Sequence, residues 1–239
     1  MLDRLSILTD MPANIRAVIY DVDDCLAPES NAAIKQEWIS HFVTEFGLTL
    51  EEAQTRNDEL FAEYGCSATG FALAYGRPLS FVEDVYANTA KQSSARFIKH
   101  HKRSARLAEI FGIIDALGIK QMVFTQGHPD HYVPIIEHLG AAPYVPPYYR
   151  LDRLNTPPAT LPKRGVAAWK HALHRLDVPA EQVLLLEDTP ANIGPAASVG
   201  IHTAQIGSRN PGIHAASIHY RADTAEEILE SLCAASAFA

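Results

Sequence analysis

A short apolar run that ends in acidic residues is the feature that most constrains this chain. Residues Ala17–Tyr20 are apolar, and three carboxylates follow within four positions, at Asp21, Asp23 and Asp24. Such a run is typical of a strand buried in a parallel sheet. Three anions at its end repel one another and lose hydration, so they need a compensating cation. A hard divalent cation such as Mg²⁺ suits carboxylate oxygens, whereas an acidic turn without metal is the alternative.

Similar apolar runs recur along the chain and alternate with segments of helical periodicity. The predicted strands are Ala17–Tyr20, Gln121–Thr125, Gln182–Leu186 and His202–Ile206, with Ile218–Tyr220 as a weaker fifth. This alternation predicts an α/β fold whose core is a doubly wound, Rossmann-like parallel sheet.

The long interval between the first two strands has a helical character of its own. Helices are predicted over Asn31–Phe46, Thr49–Tyr64 and Leu79–Ala90, and we expect Trp38 and Phe42 to pack in their core. We therefore predict a small α-helical cap domain over residues 28–102, inserted into a core domain of residues 1–27 and 103–239. A helical lid of this kind would exclude water from a nearby site.

Composition restricts the possible partners and location. The 239 residues carry a formal net charge of −8, which argues against a nucleic-acid partner. The three cysteines, Cys25, Cys66 and Cys233, suggest no disulfide framework, and no apolar run approaches transmembrane length. We expect a soluble, cytoplasmic protein with no membrane partner. Both a monomer and a homodimer stay open.

Two polar segments later in the chain are candidates for binding an anion. Thr125 ends the second predicted strand, and Gln126, Gly127 and His128 follow it; a hydroxyl and free backbone N–H groups at this point could meet an anion. Helix capping is the alternative for the threonine. Lys163 ends a proline-rich segment that begins near residue 144, and an ordinary surface charge is its alternative.

A second pair of acids strengthens the case for a metal. Glu187 and Asp188 directly follow another apolar run, Val183–Leu186. Parallel strands place their carboxyl ends at one edge of the sheet, so these acids should meet those that follow Tyr20. A cation between them would offset their repulsion. The ordered set of acids, threonine, lysine and acids contains the groups that phosphoryl transfer needs.

This ordered set resembles the haloacid dehalogenase (HAD) superfamily of phosphatases between Arg16 and Gly207. Asp21 to Leu26 is similar to its first motif; Thr125, Lys163 and the pair Glu187-Asp188 are similar to the second, third and fourth. The resemblance implies that Asp21 is the nucleophile and a metal ligand. It implies that Asp23 is the general acid and base and binds Mg²⁺ through its backbone carbonyl. Asp188 would bind the metal directly and Glu187 through water, while Thr125 and Lys163 would contact the phosphoryl group.

Within the superfamily, the chain is most similar to the pyrimidine 5′-nucleotidases. The likeness lies in the cap around Asn57 and Tyr64-Gly65 and in the segment from Asp188 to Ile193. It implies a small phosphorylated metabolite as substrate, specifically a nucleoside 5′-monophosphate with pyrimidine preferred. Tyr64, Gln126, Gly127 and His128 would then line the substrate site. Ala27, Gln126 and Thr69 depart from the usual residues, so a sugar phosphate or pyridoxal phosphate is the alternative substrate.

Three other functions are alternatives to this interpretation. A dehalogenase of the same superfamily also uses an aspartate nucleophile, but it needs neither the metal nor a second aspartate such as Asp23. A phospho-receiver module has its acidic pair before the accepting aspartate, which is a different motif order. A catalytically silent binding protein with this fold is a further alternative.

Overall fold

The computed structural model describes residues 11–64, 66–78, 80–156 and 163–236. They form two compact units. The first, here called the sheet unit, contains the residues up to Pro28, Lys102–Gly127 and the residues from Ile136 onward. The second, the helical unit, contains Glu29–His101 and His128–Ile135. The predicted division into core and cap domains at residues 27/28 and 102/103 stays a prediction.

The sheet unit is built on parallel strands. The strands are β1 (Ala17–Tyr20), β2 (Lys120–Phe124), β3 (Arg150–Leu151), β4 (Val183–Glu187), β5 (His202–Ile206) and β6 (Tyr220–Ala222). The helices of the chain are α1 (Ser30–Phe46), α2 (Leu50–Tyr64), α3 (Ser67–Ala74), α4 (Ser80–His100), α5 (Ala105–Ala116), α6 (Pro129–Leu139), α7 (Val166–Leu176), α8 (Pro190–Ser198) and α9 (Ala225–Ser236).

The strand order explains where a site can form. The sheet runs β3-β2-β1-β4-β5-β6, and every neighbouring pair is parallel. The chain moves outward from β1 in one direction through β2 and β3, then returns to β4 and moves outward in the other. The ends of β1 and β4 therefore lie at the topological switch point, where open α/β sheets place their ligands. The predicted doubly wound α/β fold with a helical insert is confirmed.

The core of the sheet unit follows from the apolar strands. Every residue of β1 is fully buried, as are the apolar residues of β4. On one face of the sheet, Trp169 of α7 contacts Phe124 of β2 edge to face, with ring centroids 5.3 Å apart. Strands covered on both faces need continuous apolar runs, which explains why the strand signals were strong.

The helical unit has an aromatic core. Phe42 of α1 stacks on Phe71 of α3 with ring centroids 3.8 Å apart, and Trp38 of α1 is also buried. Thr49 and Glu52 form a capping box at the start of α2. The Thr49 N–H donates to Glu52 Oε2 at 2.8 Å, and the Glu52 N–H donates to Thr49 Oγ1 at 3.2 Å. The packing of Trp38 and Phe42 in a helical core is confirmed.

Several predicted elements differ from the observed ones. The second strand ends at Phe124, so Thr125 follows it, and β6 begins two residues later than the weak fifth run predicted. The proline-rich segment contains the short strand β3, and α3 had no sequence signal. Helix α4 extends to His100, ten residues beyond the predicted end. Gly65, Leu79 and residues 157–162 lie outside the described residues. Among the helices that are described, none combines the length and apolar composition needed to cross a membrane.

Candidate active site

The acidic residues after β1 and β4 meet at the switch point of the sheet. Tyr20 pairs with Leu186, and the backbone N–H of Asp21 donates to the Leu186 carbonyl at 3.0 Å. This register brings Asp21 beside the end of β4, which carries Glu187 and then Asp188. All three carboxylates are buried, and one oxygen from each lies within 4.8 Å of the others. The predicted meeting of the two acidic clusters is confirmed.

Lys163 is buried in the middle of this cluster. Its Nζ donates to Asp21 Oδ1 at 2.5 Å and to Glu187 Oε2 at 2.9 Å, and the residue is only 1% exposed. The Trp169 indole N–H donates to the Lys163 carbonyl at 2.7 Å, which fixes the backbone at this point. The alternative that Lys163 is an ordinary surface charge is therefore wrong.

The electrostatics of the cluster show how unfavourable the carboxylates are without a further cation. Burial, and secondly the negative charge of Glu187, raise the pKa of Asp21 to about 8, although Lys163 opposes the shift. Burial and the charges of Glu187 and Asp21 raise the pKa of Asp188 to about 9, with Arg209 opposing. Burial alone would lower the pKa of Lys163, but Asp21 and Glu187 raise it above its ordinary value. Lys163 is therefore charged, and the carboxyls are short of positive charge.

The donor set fits a divalent cation. The carboxyls of Asp21, Glu187 and Asp188 outnumber the single buried cation, Lys163, and a divalent cation such as Mg²⁺ would offset their excess of negative charge. Oδ2 of Asp188 is fully buried and makes no hydrogen bond to any described residue. An oxygen in that position is a suitable metal ligand, because a buried acceptor that receives no hydrogen bond is otherwise unfavourable.

The loop after β1 is a tight turn. The Asp24 N–H donates to the Ala27 carbonyl at 3.0 Å, and the Ala27 N–H donates to the Val22 carbonyl at 2.9 Å. Asp24 adopts a left-handed backbone, with φ of 58°. Asp23 is half-buried in this turn, and its charge contributes to the raised pKa of Asp21. The turn thus keeps Asp23 close enough to Asp21 to act on it electrostatically.

The segment after β2 lies at the same edge of the sheet. The Thr125 N–H donates to the Leu151 carbonyl at 2.9 Å, and Thr125 Oγ1 accepts the Gly127 N–H at 3.0 Å. Thr125 and Gly127 are buried, whereas Gln126 is exposed. The hydroxyl hydrogen of Thr125 is not used in that bond, so the side chain can still donate to an anion.

Two residues predicted to bind substrate belong to the helical unit. His128 precedes α6, and its Nδ1 accepts the Asp130 N–H at 3.1 Å, so the ring caps that helix. Tyr64 ends α2 and is 40% exposed. A role in substrate binding stays a prediction for both, as it does for Gln126 and Gly127.

Arg209, which lies three residues after the end of β5, also belongs to this edge of the sheet, although no sequence pattern predicted it. Its Nη2 is 2.9 Å from Asp24 Oδ2 and 2.8 Å from Asp188 Oδ2, and its Nη1 donates to Thr189 Oγ1 at 3.3 Å. One feature of the sequence could have indicated this position. Arg209 is a cation just beyond the predicted strand His202–Ile206, and a parallel strand ends at the same edge of the sheet as β1 and β4.

Known structures with a similar fold are HAD hydrolases. No protein-family model and no curated protein matches the sequence. A HAD hydrolase of family IA, variant 3, from Entamoeba histolytica superposes with a TM-score of 0.69 at 13% identity, covering 91% of this chain and 99% of that one. A HAD phosphatase from Thermococcus onnurineus superposes with a TM-score of 0.64 at 15% identity, covering 91% of this chain and 98% of that one. A dehalogenase superposes with a TM-score of 0.57 at 14% identity, covering 91% of this chain and 95% of that one. The chain therefore has the fold of the solved HAD hydrolases.

Proposed function

We propose that this chain is a Mg²⁺-dependent phosphomonoester hydrolase that works through an aspartyl-phosphate intermediate on Asp21. The observation that carries this proposal is the buried contact of Asp21 with Lys163, beside Glu187 and Asp188. Replacing buried ion pairs with apolar side chains is often neutral or stabilising. A site that keeps three buried carboxylates around one lysine is therefore better explained by chemistry than by stability.

Asp21 supplies the nucleophile. One of its carboxylate oxygens attacks the phosphorus of the ester, and the bond between phosphorus and the leaving-group oxygen breaks. Because Lys163 donates to Oδ1, we assign the attack to Oδ2. Water then attacks the phosphorus of the aspartyl phosphate, which releases inorganic phosphate and restores the carboxylate.

Asp23 moves the protons. In its protonated form it gives a proton to the leaving-group oxygen, and the resulting carboxylate takes a proton from the attacking water. The turn that holds Asp23 near Asp21 supports this role. Thr125 and Lys163 donate hydrogen bonds to the phosphoryl oxygens, on which negative charge lies during transfer.

Asp21, Asp188 and the backbone carbonyl of Asp23 would hold Mg²⁺, with Glu187 acting through a water molecule. When bound, the ion supplies the positive charge that lets carboxylates and a phosphate group share a small volume. Glu187 accepts from Lys163 at 2.9 Å and from the Thr189 N–H at 3.2 Å. Both of its oxygens are engaged, which supports an indirect contact with the metal.

The fold alone does not separate a phosphatase from a dehalogenase, because both occur among the similar structures. The residues favour the phosphatase. A dehalogenase has no use for the excess of buried negative charge around Asp21, whereas a metal-bound phosphate does. Asp23 supplies the second aspartate that ester hydrolysis requires.

For the substrate, we propose a nucleoside 5′-monophosphate with a pyrimidine base. The support is the resemblance of the segment around Asn57 and Tyr64, because the carboxylates recognise only the phosphate that all monoesters share. Specificity then depends on groups that meet the leaving group, for which Gln126 and His128 are candidates. A sugar phosphate or pyridoxal phosphate would leave the chemistry unchanged.

The nucleophile is tested with Asp21→Asn. This change keeps the volume but removes the anion, so kcat should fall by about a thousandfold or more. Rapid quenching of the wild type with radiolabelled UMP should trap a phosphorylated protein, and the variant should trap none. Asp115→Asn, an exposed change at the end of α5, is the control and should keep wild-type turnover. Retention of a tenth of the activity by Asp21→Asn would contradict the proposal.

The proton-transfer role is tested with Asp23→Asn on two substrates. Turnover of UMP, whose alkoxide leaving group needs a proton, should fall by about a hundredfold or more. Turnover of p-nitrophenyl phosphate should fall much less, because nitrophenolate leaves without a proton. Equal losses on both substrates would exclude Asp23 as the general acid. The same assays extended to CMP, AMP, sugar phosphates and pyridoxal phosphate rank the substrates by kcat/KM, and pyrimidine nucleotides should lead.

A further inference from the structure

Arg209 lies between two carboxylates at the rim of the acidic cluster. Its Nη2 is within 2.9 Å of Asp24 Oδ2 and 2.8 Å of Asp188 Oδ2. Its side chain is 41% exposed, whereas that of Asp188 is only 5% exposed. One guanidinium nitrogen therefore faces both a buried carboxylate of the site and a partly exposed carboxylate outside it.

The two oxygens of Asp188 have different surroundings. Oδ1 accepts the Thr189 hydroxyl at 3.1 Å. Oδ2 is buried and makes no hydrogen bond to the described residues, although Arg209 Nη2 is only 2.8 Å away. Arg209 and Asp188 therefore form an ion pair whose geometry is not that of a hydrogen bond. Oδ2 is the oxygen most available to a metal, and it is the oxygen that Arg209 approaches.

The position of Arg209 is determined by the fold. The side chain of Gln205 on β5 is buried, and its Nε2 donates to the Arg209 carbonyl at 2.6 Å. The guanidinium also donates to Asp24 Oδ2 at 2.9 Å and to Thr189 Oγ1 at 3.3 Å. These contacts hold Arg209 at the rim whether or not its contact with Asp188 is made.

We infer that Arg209 competes with the divalent cation for Oδ2 of Asp188, and that Asp24 retains the guanidinium at the rim when the cation binds. Arg209 is thus a positioning residue that partly neutralises Asp188 in the metal-free enzyme. Its charge is redirected to Asp24 once the metal supplies a stronger partner. This inference rests on the magnesium site of the proposed function.

The competition is tested by titrating the metal-free protein with MgCl₂ in a calorimeter. The wild type is compared with Arg209→Ala and with Arg164→Ala. Arg164 is an exposed cation next to Lys163 and makes no ion pair with the described carboxylates, so its removal tests for a general effect of charge. Arg209→Ala should bind Mg²⁺ about two- to fivefold more tightly than the wild type, the size expected of a partly exposed ion pair. Arg164→Ala should change the Kd by less.

A crystal structure of the Mg²⁺-loaded wild type is the second measurement. Arg209 Nη2 should have moved away from Asp188 Oδ2 while keeping its contact with Asp24. Equal or weaker Mg²⁺ binding by Arg209→Ala, equal tightening by Arg164→Ala, or an unchanged Arg209–Asp188 contact would each overturn the inference and leave the phosphatase proposal intact. A wild type that binds no Mg²⁺ would overturn the metal site and this inference together.

Discussion

The sheet unit encloses charged side chains, whereas the helical unit encloses aromatic and aliphatic side chains with neutral polar groups among them. The buried aspartate, glutamate and lysine side chains of the described chain all belong to the sheet unit: Asp21, Asp152, Lys163, Glu187 and Asp188. The buried polar groups of the helical unit include the Trp38 indole, whose N–H donates to Thr89 Oγ1 at 3.0 Å. Packing alone accounts for the interior of the helical unit but not for the interior of the sheet unit.

The difference separates an interior that packing explains from the interior that holds the proposed site. Asp152 shows what a structural buried carboxylate looks like, because it accepts two backbone N–H groups and the amide of Asn155. Asp188 has no such set of donors, and its pKa is raised. Asp188 accepts only the Thr189 hydroxyl, and a buried acid with so few donors is maintained at some loss of stability, which is typical of sites that bind a ligand or catalyse a reaction.

The largest effect is expected for Lys163→Met. The change leaves Asp21 and Glu187 buried without their cation, and breaking a buried pair in this way costs about 3–5 kcal/mol. The loss should shrink as the pH falls, because protonation removes the repulsion between the carboxyls. Urea unfolding of the metal-free protein at pH 5 and pH 8 measures this difference. Lys170→Met, an exposed change on α7, is the control. A loss that does not depend on pH would remove the electrostatic explanation.

A comparable loss of stability with a different signature is expected for Phe71→Ala. Phe71 is fully buried and stacks on Phe42 and Phe46, so the truncation should lower the free energy of unfolding by about 3–5 kcal/mol. No ionisable group is involved, so this loss should be the same at pH 5 and pH 8. Leu73→Ala on the same helix is 53% exposed and should change stability by about 0.5 kcal/mol at most. If the loss of stability in Phe71→Ala depended strongly on pH, the proposed difference between the two interiors would be contradicted.

The smallest effect, and the one of opposite sign, is expected for Asp188→Asn. In the metal-free wild type the pKa of Asp188 is raised to about 9, chiefly by burial, whereas in the unfolded chain this carboxyl has its ordinary pKa of 3.8. The folded state therefore binds the extra proton between these values, and its stability falls as the pH rises through them. Asparagine removes this dependence. The variant should unfold about 2–4 °C above the metal-free wild type at pH 8, the shift that 1 kcal/mol produces in a chain of this size.

Magnesium should reverse the order of the unfolding temperatures of the wild type and Asp188→Asn. Adding MgCl₂ should raise the unfolding temperature of the wild type by mass action and leave that of Asp188→Asn unchanged, because the variant lacks a carboxylate that we propose as a direct ligand. Differential scanning calorimetry with and without EDTA measures both effects. Asp115→Asn, far from the acidic cluster in the sequence, should behave as the wild type does. A variant that is less stable than the metal-free wild type at pH 8 would show that Asp188 is structural.

Local signals in the sequence predicted the elements that carry the site. The bounds of β1 and β5 agree with the predicted segments, and a capping box at Thr49 and Glu52 stands at the start of α2, within the predicted helix Thr49–Tyr64. Each of these elements depends on residues a few positions apart: an apolar run, a helical stripe or a reciprocal cap. The meeting of the acids after β1 and β4 also followed from the sequence, because parallel strands share an edge.

Elements without a local signal could not be predicted. Strand β3 has two residues and exists because Arg150 and Leu151 pair with Val123 and Phe124 of β2. Helix α3 has eight residues and little separation of polar and apolar faces. It packs closely on α2 at Gly70, where a Cβ atom would lie 2.6 Å from the Leu60 Cβ.

The sequence by itself determined which chemical groups this protein has and at which strand ends they stand. Only the tertiary structure decided that Lys163 is buried between Asp21 and Glu187, 142 residues away from the former, and that Arg209 pairs with Asp24 across 185 residues. The reason is that periodicity and capping record interactions along the chain. An ion pair between distant residues depends on strand order and register, which no local pattern specifies.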